Sequence, residues 1–383
     1  MNDHDAPFVR VEEAGSVHDG GTARLVLSKL RDVEDVAAAI ARSGAVVELV
    51  DQRLRVVSTP SRVSDGVGRV LGAQAAEAAA SAIDLAVRSW LGGPPELVVG
   101  GTVLPTAQRP LVMGIVNVTP DSFSDGGTSY DPEDHPGAAI AAGRRLLEAG
   151  ADVVDVGGES TRPGAEAVSE QDELDRVLPV IEALAAQGGT VSVDTSKAGV
   201  ARAAVGAGAA LINDVSAGAL DGLMLPTVAE LGVPYVLMHM RGTPRTMQRD
   251  PKYADVVAEV FDFLAETLDR CEVAGIERES VIVDPGIGFG KTVDHNLTLL
   301  QRLRELTSLG RPVLIGTSRK SFLGRVSDLD DASERLIPSI VTAALAVGAG
   351  ASIVRVHDVA ETVEAVRVAQ AVTNGRQGDA WIG

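Results

Sequence analysis

Eight apolar runs between residues 111 and 356 stop at or beside residues suited to site chemistry: Asn117, Asp155, Asp194, Asn213 with Asp214, His239, Asp284, Gly316 and Arg355. Carboxylates and carboxamides form short, direction-specific hydrogen bonds with polar ligands, and guanidinium groups answer negative charge with a planar fork. The stretch LVMGIVNVTPDSFSDGG (111–127) shows the pattern most clearly. Residues 111–116 are unbroken apolar, the mark of a strand buried on both faces. Asn117 ends the run, and a loop of turn residues and hydrogen-bonding side chains follows. One carboxylate at a strand end is better explained by a turn or a helix cap. Eight such ends in succession point to a composite polar site.

Helical patterns fall between these runs, at about 136–149, 169–187, 198–208, 222–231, 254–274, 293–307, 332–349 and 359–373. Several carry start signals: Ser169 with Asp172, Ser196 before Lys197, and Ser333. Eight strand–helix units of this size predict a (β/α)8 barrel, an α/β fold whose strand ends converge on one mouth. A doubly wound sheet is the weaker alternative, because no Gly-rich G-x-G-x-x-G first turn is present. Ahead of the barrel, residues 1–95 read as a small α/β extension. Its first 20 or so residues are polar and Gly-rich, so fraying is expected there. Strands are predicted at 23–27, 45–50 and 54–57, and helices at 33–42 and 74–91, the last stopped by Gly92-Gly93-Pro94-Pro95. No chemistry-bearing cluster occurs in this part. Residues 96–383 form the second unit, opening with a short hairpin over 96–104.

The formal charge of −19 argues against a nucleic-acid or anionic-membrane surface, since both require clustered Lys and Arg. A single cysteine, Cys271, excludes an intrachain disulfide and reads as apolar filler. The acidic N-terminus lacks the apolar core of a signal peptide, and no run of about 18 apolar residues suggests a membrane span. A cytoplasmic protein is expected.

From about residue 96 onward the chain closely resembles dihydropteroate synthases. The matching blocks are GIVNVTPDSFSDGG (114–127), DVVDVGGESTRPGA (152–165), SVDTSK (192–197), LINDVSA (211–217), LMHMRGTPRTMQ (237–248), DPGIGFGKTVDHN (284–296), GTSRKSFLG (316–324) and RVHDV (355–359), all in family order. The resemblance implies condensation of 6-hydroxymethyl-7,8-dihydropterin pyrophosphate with p-aminobenzoate, releasing pyrophosphate with help from Mg2+. It implies pterin recognition by Asp155, Asp194, Asn213, Asp284 and Lys320, with Asp284 at the 2-amino edge and Lys320 on the ring carbonyl side. Such groups suit the flat N–H and carbonyl edge of an aminopyrimidinone. The pyrophosphate falls to Asn117, Thr161, Arg355 and His357, beside the start of the last helix, and Asn117 supplies an amide oxygen to Mg2+. For p-aminobenzoate, Arg162 and Ser321 would hold the carboxylate, and Phe123, Pro163 and Phe289 would wall the ring. Loops 117–127 and 157–164 are expected to close over the site. Asn117, Lys320, Arg355 and His357 are thus the expected catalytic set, while His239 is expected to be structural support. The rival readings are a pterin-dependent methyltransferase and a non-catalytic pterin-binding paralogue. The resemblance also suggests a homodimer, through the Ala/Val-rich segment near 338–348.

Overall fold

The computed structural model describes residues 7–14, 23–30, 32–50, 52–92, 95–99, 102–119, 135–161 and 167–374. Within the segment expected to fray, Phe8–Ala14 forms a strand (β1), because its alternating side chains find partners on both faces. Val9 and Val11 enter a core, while Arg10 between them is buried against Glu305 of the barrel. Next come Ala23–Ser28 (β2), Val33–Ala41 (α1), Val46–Val50 (β3), Arg53–Ser58 (β4), Pro60–Leu71 (α2) and Ala73–Gly92 (α3). The strands pair antiparallel in the order β1-β2-β4-β3. Leu25, Leu27, Leu54 and Val56 share one core with helix residues Val36, Ile40, Val63, Val67 and Ile83. Helix α2 is absent from the sequence reading because Gly66 and Gly68 lower helix propensity. Packing explains Gly66: a Cβ there would lie 2.3 Å from Ile40 Cγ1.

The hairpin Leu97–Val99 (β5) and Thr102–Leu104 (β6) leads into eight parallel strands. These are Leu111–Asn117 (β7), Val153–Gly157 (β8), Val191–Asp194 (β9), Leu211–Asp214 (β10), Tyr235–Met238 (β11), Val281–Asp284 (β12), Leu314–Ile315 (β13) and Ile353–Val356 (β14). They pair in chain order, with β14 joining β13 to β7, and a parallel bridge between Val283 and Val313 closes the ring. Sequential order and closure make this a (β/α)8 barrel and exclude a doubly wound sheet. The helices between strands are His135–Glu148 (α4), Glu170–Ala185 (α5), Ala198–Gly206 (α6), Met224–Leu231 (α7), Val256–Val273 (α8), Val293–Gln301 (α9), Ser321–Ser327 (α10), Leu336–Gly348 (α11) and Val359–Asn374 (α12). Two expected helices end early or begin late, giving way to 3-10 turns at Leu303–Leu309 and Ala332–Arg335.

Ser169 caps α5 as expected, accepting from the Asp172 N–H at 3.1 Å. Two other serines do not cap, because carboxylates, stronger acceptors, take the amides instead. Asp331 accepts the Ser333 N–H at 2.8 Å, and Asp221, from another loop, accepts the Ala198 N–H at 2.8 Å. The N-terminal unit docks on α8 and the Leu303–Leu309 turn. Ser28 donates to Asp262 at 2.8 Å, Arg53 donates to the same carboxylate at 2.9 Å, and Val11 N–H reaches Ser308 at 3.0 Å.

The barrel interior changes character over one step of the strand period. Leu111, Met113, Val153, Leu211, Val236, Ile282, Leu314 and Ile353 fill its lower half with Leu97, Val99 and Leu104 of the hairpin. Two residues further along their strands, Asp155, Asn213, Asp284 and Arg355 take over. Leu97 is fully buried in the apolar half. Truncating a buried leucine costs about 2–5 kcal/mol through lost transfer energy and the cavity left behind. Leu97→Ala is therefore expected to lower unfolding free energy by that amount in urea titration, with an unchanged m-value.

Candidate active site

Arg355 reaches across the barrel from β14 to two other strands. Its Nε donates to Asp155 Oδ2 at 2.6 Å, and its terminal NH2 group donates to Asp194 Oδ2 at 2.7 Å. Asn213 Nδ2 completes the group with a 2.9 Å bond to the same Asp155 oxygen. Asp155 Oδ1 is buried and finds no hydrogen-bond partner among the described residues. A buried acceptor of this kind is costly unless something meets it. Burial works against the Arg355 charge, but Asp155 and Asp194 outweigh it and raise the guanidinium pKa. Burial, opposed by Arg355 and reinforced by the neighbouring carboxylates, pushes Asp194 up to about 7.

Beside this group stand Asp284 and Lys320. Burial raises the Asp284 carboxyl and is opposed chiefly by the Lys320 ammonium. Burial brings Lys320 down to about 8, with Asp284 resisting. Lys320 Nζ donates to the Ile287 carbonyl and sits 4.8 Å from the centroid of the Phe289 ring. Gly316 lies between Lys320 and Arg355: a Cβ there would be 3.8 Å from Lys320 Nζ and 3.9 Å from Arg355 Cβ. One carboxyl oxygen of Asp284 accepts the Gly286 N–H at 2.7 Å, so this aspartate also shapes its own loop. No such local bond explains Asp194, since the following amide, Thr195 N–H, donates to the Asn213 carbonyl.

At the rim, half-buried Asn117 ends β7 opposite Gly157 of β8. His357 lies one residue beyond β14, separated from α12 by Asp358, and its Nδ1 is 3.0 Å from Ser318 Oγ. Arg355 and His357 therefore occupy different surroundings, the first on the carboxylates of the floor and the second at the strand–helix junction. Arg319, held at a left-handed φ of 57°, pairs with Asp358 at 2.6 Å and ties the β13 and β14 loops together.

Comparison with known proteins matches the pattern of pterin binding enzymes to residues 113–357. Dihydropteroate synthase of Escherichia coli (strain K12) is 49% identical over 270 residues, covering 70% of this chain and 94% of that protein. This chain belongs to the dihydropteroate synthase family. Its barrel superposes on a Xanthomonas albilineans dihydropteroate synthase structure with 4-aminobenzoic acid at TM-score 0.68 and 50% identity, covering 74% of this chain and all of that one. A second structure of that enzyme, in complex with 7,8-dihydropteroate, gives TM-score 0.65 and 47% identity over the same shares. The family's enzymes are transferases, and this chain is one of them.

Of the residues expected to serve a synthase site, Asp155, Asp194, Asn213 and Arg355 form one bonded group, with Asp284 and Lys320 coupled to it electrostatically. Phe289 lies against Lys320, and Ser321 follows it as the exposed first residue of α10. Thr161 is half-buried after β8. Phe123, Arg162 and Pro163, with most of the expected closing loop 117–127 and the last three residues of the loop 157–164, lie outside the described residues. His239 is buried as structural support: Lys291 Nζ meets its Nδ1 at 2.9 Å and Phe263 packs at its ring edge. Asp214 is structural too, accepting from Ser216, Gly218 and Tyr235 at 2.7 Å each. Cys271 is buried filler, its thiol pushed up by burial to about 12. Sequence reasoning missed Ser318 and Lys291. Both lie inside quoted blocks, but only the fold shows what they touch.

The Asp194 carboxyl has a folded pKa above its unfolded value, so the folded state binds more protons between about pH 4 and pH 7. Its contribution to stability is complete at the acid end of that window and is lost as pH rises through about 7. The expected signature is a fall in urea-unfolding free energy across that range, with a slope of up to about 1.4 kcal/mol per pH unit for one proton. Asp194→Asn should flatten this component.

Proposed function

We propose that the barrel mouth condenses 6-hydroxymethyl-7,8-dihydropterin pyrophosphate with p-aminobenzoate, with the roles divided among residues as follows. The observation that carries this reading is the Asp155–Arg355–Asp194 group, backed by Asn213 and flanked by Asp284 and Lys320. These residues gather acceptors and donors at the strand ends of one barrel, chemistry that suits a flat heterocycle with adjacent N–H and carbonyl functions. Asp284, Asp194 and Asn213 take the pterin edge, and Lys320 donates to its ring carbonyl. The unpartnered Asp155 Oδ1 is an acceptor poised for a ligand N–H.

The leaving pyrophosphate would lie above this floor, against Asn117, Thr161, Arg355 and His357 and the amide end of α12. Backbone N–H groups and the helix dipole there favour negative charge. Ser318 meets both the His357 ring, at 3.0 Å, and its backbone N–H, at 3.2 Å, which orients the imidazole. Among the described residues no three His, Cys, Asp or Glu side chains gather into a metal cage. The donor chemistry nevertheless fits Mg2+, which binds hard oxygens and leans on substrate phosphates and water. Asn117 would hold it through its amide oxygen. Mg2+ supplies charge neutralisation on the pyrophosphate. The floor stabilises the cationic pterin methylene as its C–O bond to pyrophosphate breaks, and the amine of p-aminobenzoate, held by Arg162 and Ser321 with Phe289, Phe123 and Pro163 around its ring, forms a C–N bond to the same carbon and loses its proton to solvent. No covalent enzyme intermediate is required.

We further propose a homodimer. Exposed Ile337, Val341 and Leu345 repeat every four residues along α11, and Val368 and Val372 extend the apolar strip onto α12. Ile337 and Leu345 are 70% and 67% exposed, and a second copy would cover them. Leu345→Asp is expected to shift the protein to monomer in sedimentation velocity. An unchanged mass would place the interface elsewhere.

The decisive assay is pyrophosphate release by purified protein given the pterin pyrophosphate, Mg2+ and p-aminobenzoate. Release that depends on the amine supports the synthase reading, and none under any condition sinks it in favour of a binding paralogue. Arg355→Met should reduce kcat by about 10²–10³-fold, the usual effect of losing one stabilising donor. Arg162→Ala should chiefly raise KM for p-aminobenzoate.

A further inference from the structure

The loop after β12 carries three glycines in left-handed conformation: Gly286, Gly288 and Gly290, at φ +66°, +84° and +63°. Such a segment has unusual backbone freedom and needs external restraint to adopt one shape. The restraint here is complete on the carbonyl side. Gly286 O accepts Lys291 Nζ at 2.9 Å, and Ile287 O accepts Lys320 Nζ. Gly288 O accepts Gln248 Nε2 at 2.6 Å, Phe289 O accepts Lys291 Nζ at 3.0 Å, and Gly290 O accepts Tyr253 OH at 2.9 Å. Five successive carbonyls are held, and Lys291 holds two of them.

Lys291 is only 3% exposed, and its third partner is His239 Nδ1 at 2.9 Å. The His239 carbonyl lies 3.4 Å from the same nitrogen. Burial and the Lys291 and Arg241 cations hold the His239 imidazole well below its ordinary range. Burial also pulls Lys291 well down, while the Asp284 carboxylate supports its charge. The loop runs hard against the backbone of β11's end, for a Cβ at Gly286 would lie 1.9 Å from His239 O.

We propose that Lys291 is a positioning residue for the pterin end of the reaction. It fixes the 286–290 loop so that the Ile287 carbonyl and the Phe289 ring set where the Lys320 ammonium stands. The inference rests on the assignment of Lys320 to the pterin.

A double-variant cycle tests it, with Lys291→Met, Lys320→Met and their combination, assayed for kcat and for KM of each substrate. Displacing a catalytic group by about 1 Å can cost about 10²-fold. Lys291→Met is thus expected to lower kcat/KM for the pterin pyrophosphate by about 10–100-fold. KM for p-aminobenzoate should stay within about twofold. Because Lys291 acts through Lys320, the combined variant should be scarcely worse than Lys320→Met alone. Multiplicative losses, or an unaffected Lys291→Met, would overturn the proposal. Should Lys291→Met fail to fold, Lys291→Gln keeps amide donors in the same place and runs the same cycle, judged by the same criterion. An unchanged KM for the pterin pyrophosphate in Lys320→Met would instead sink the assignment of Lys320. A normal Lys320→Met effect with an additive cycle sinks only the role of Lys291.

Discussion

Two carboxylates in the dry interior of a barrel require a cation between them, and the structure depends on how that requirement is met. Asp155 on β8 and Asp194 on β9 share the one guanidinium of Arg355, which arrives from β14. Isolated buried charges are expensive, and removing one member of a buried pair strands the other. The shared arrangement therefore fixes three strands relative to one another and leaves a net negative floor. Asn213 adds a fourth strand to the same oxygen of Asp155. Below this layer the filling is apolar apart from Ser192 on β9, whose buried Oγ has no hydrogen-bond partner among the described residues.

Much of this was legible in the sequence because strand geometry is periodic. Alternation places Val153 with the apolar filling and Asp155 with the floor, as it does Leu211 and Asn213 or Ile282 and Asp284. A polar residue at the end of an apolar run is then both a strand terminus and a site candidate. What stayed hidden involves partners far apart in the chain. Nothing local to Arg10 announces Glu305, so β1 read as a frayed end. Nothing local to Gly66 announces Ile40, and α2 has no counterpart in the sequence reading. Lys291 was passed over for the same reason, since its acceptors come from its own glycine loop and from His239 on another strand. The pairing of Arg355 with Asp155 is likewise a product of closure. The sequence placed both at the mouth but not on each other.

The N-terminal unit adds a second use of charge. Three of its cations bind the barrel's outer wall: Arg10 at Glu305, Arg53 at Asp262 and Lys29 at Glu266. Arg302 joins Glu305 to Asp255, the residue that caps α8. In a chain of formal charge −19, basic residues thus hold the N-terminal unit to the barrel on the outside and neutralise carboxylates of the barrel floor on the inside. The exposed pairs among them are individually weak. The buried Arg10–Glu305 contact is the specific one, because it is shielded from water on both sides.

The hairpin at 97–104 stoppers the opposite end of the barrel with Leu97, Val99 and Leu104. A vessel sealed at its base has a single doorway. With the roles proposed above, a compound seated on the floor enters by that passage before the one that lies over it. On that assignment, depth in the barrel sets the order of entry.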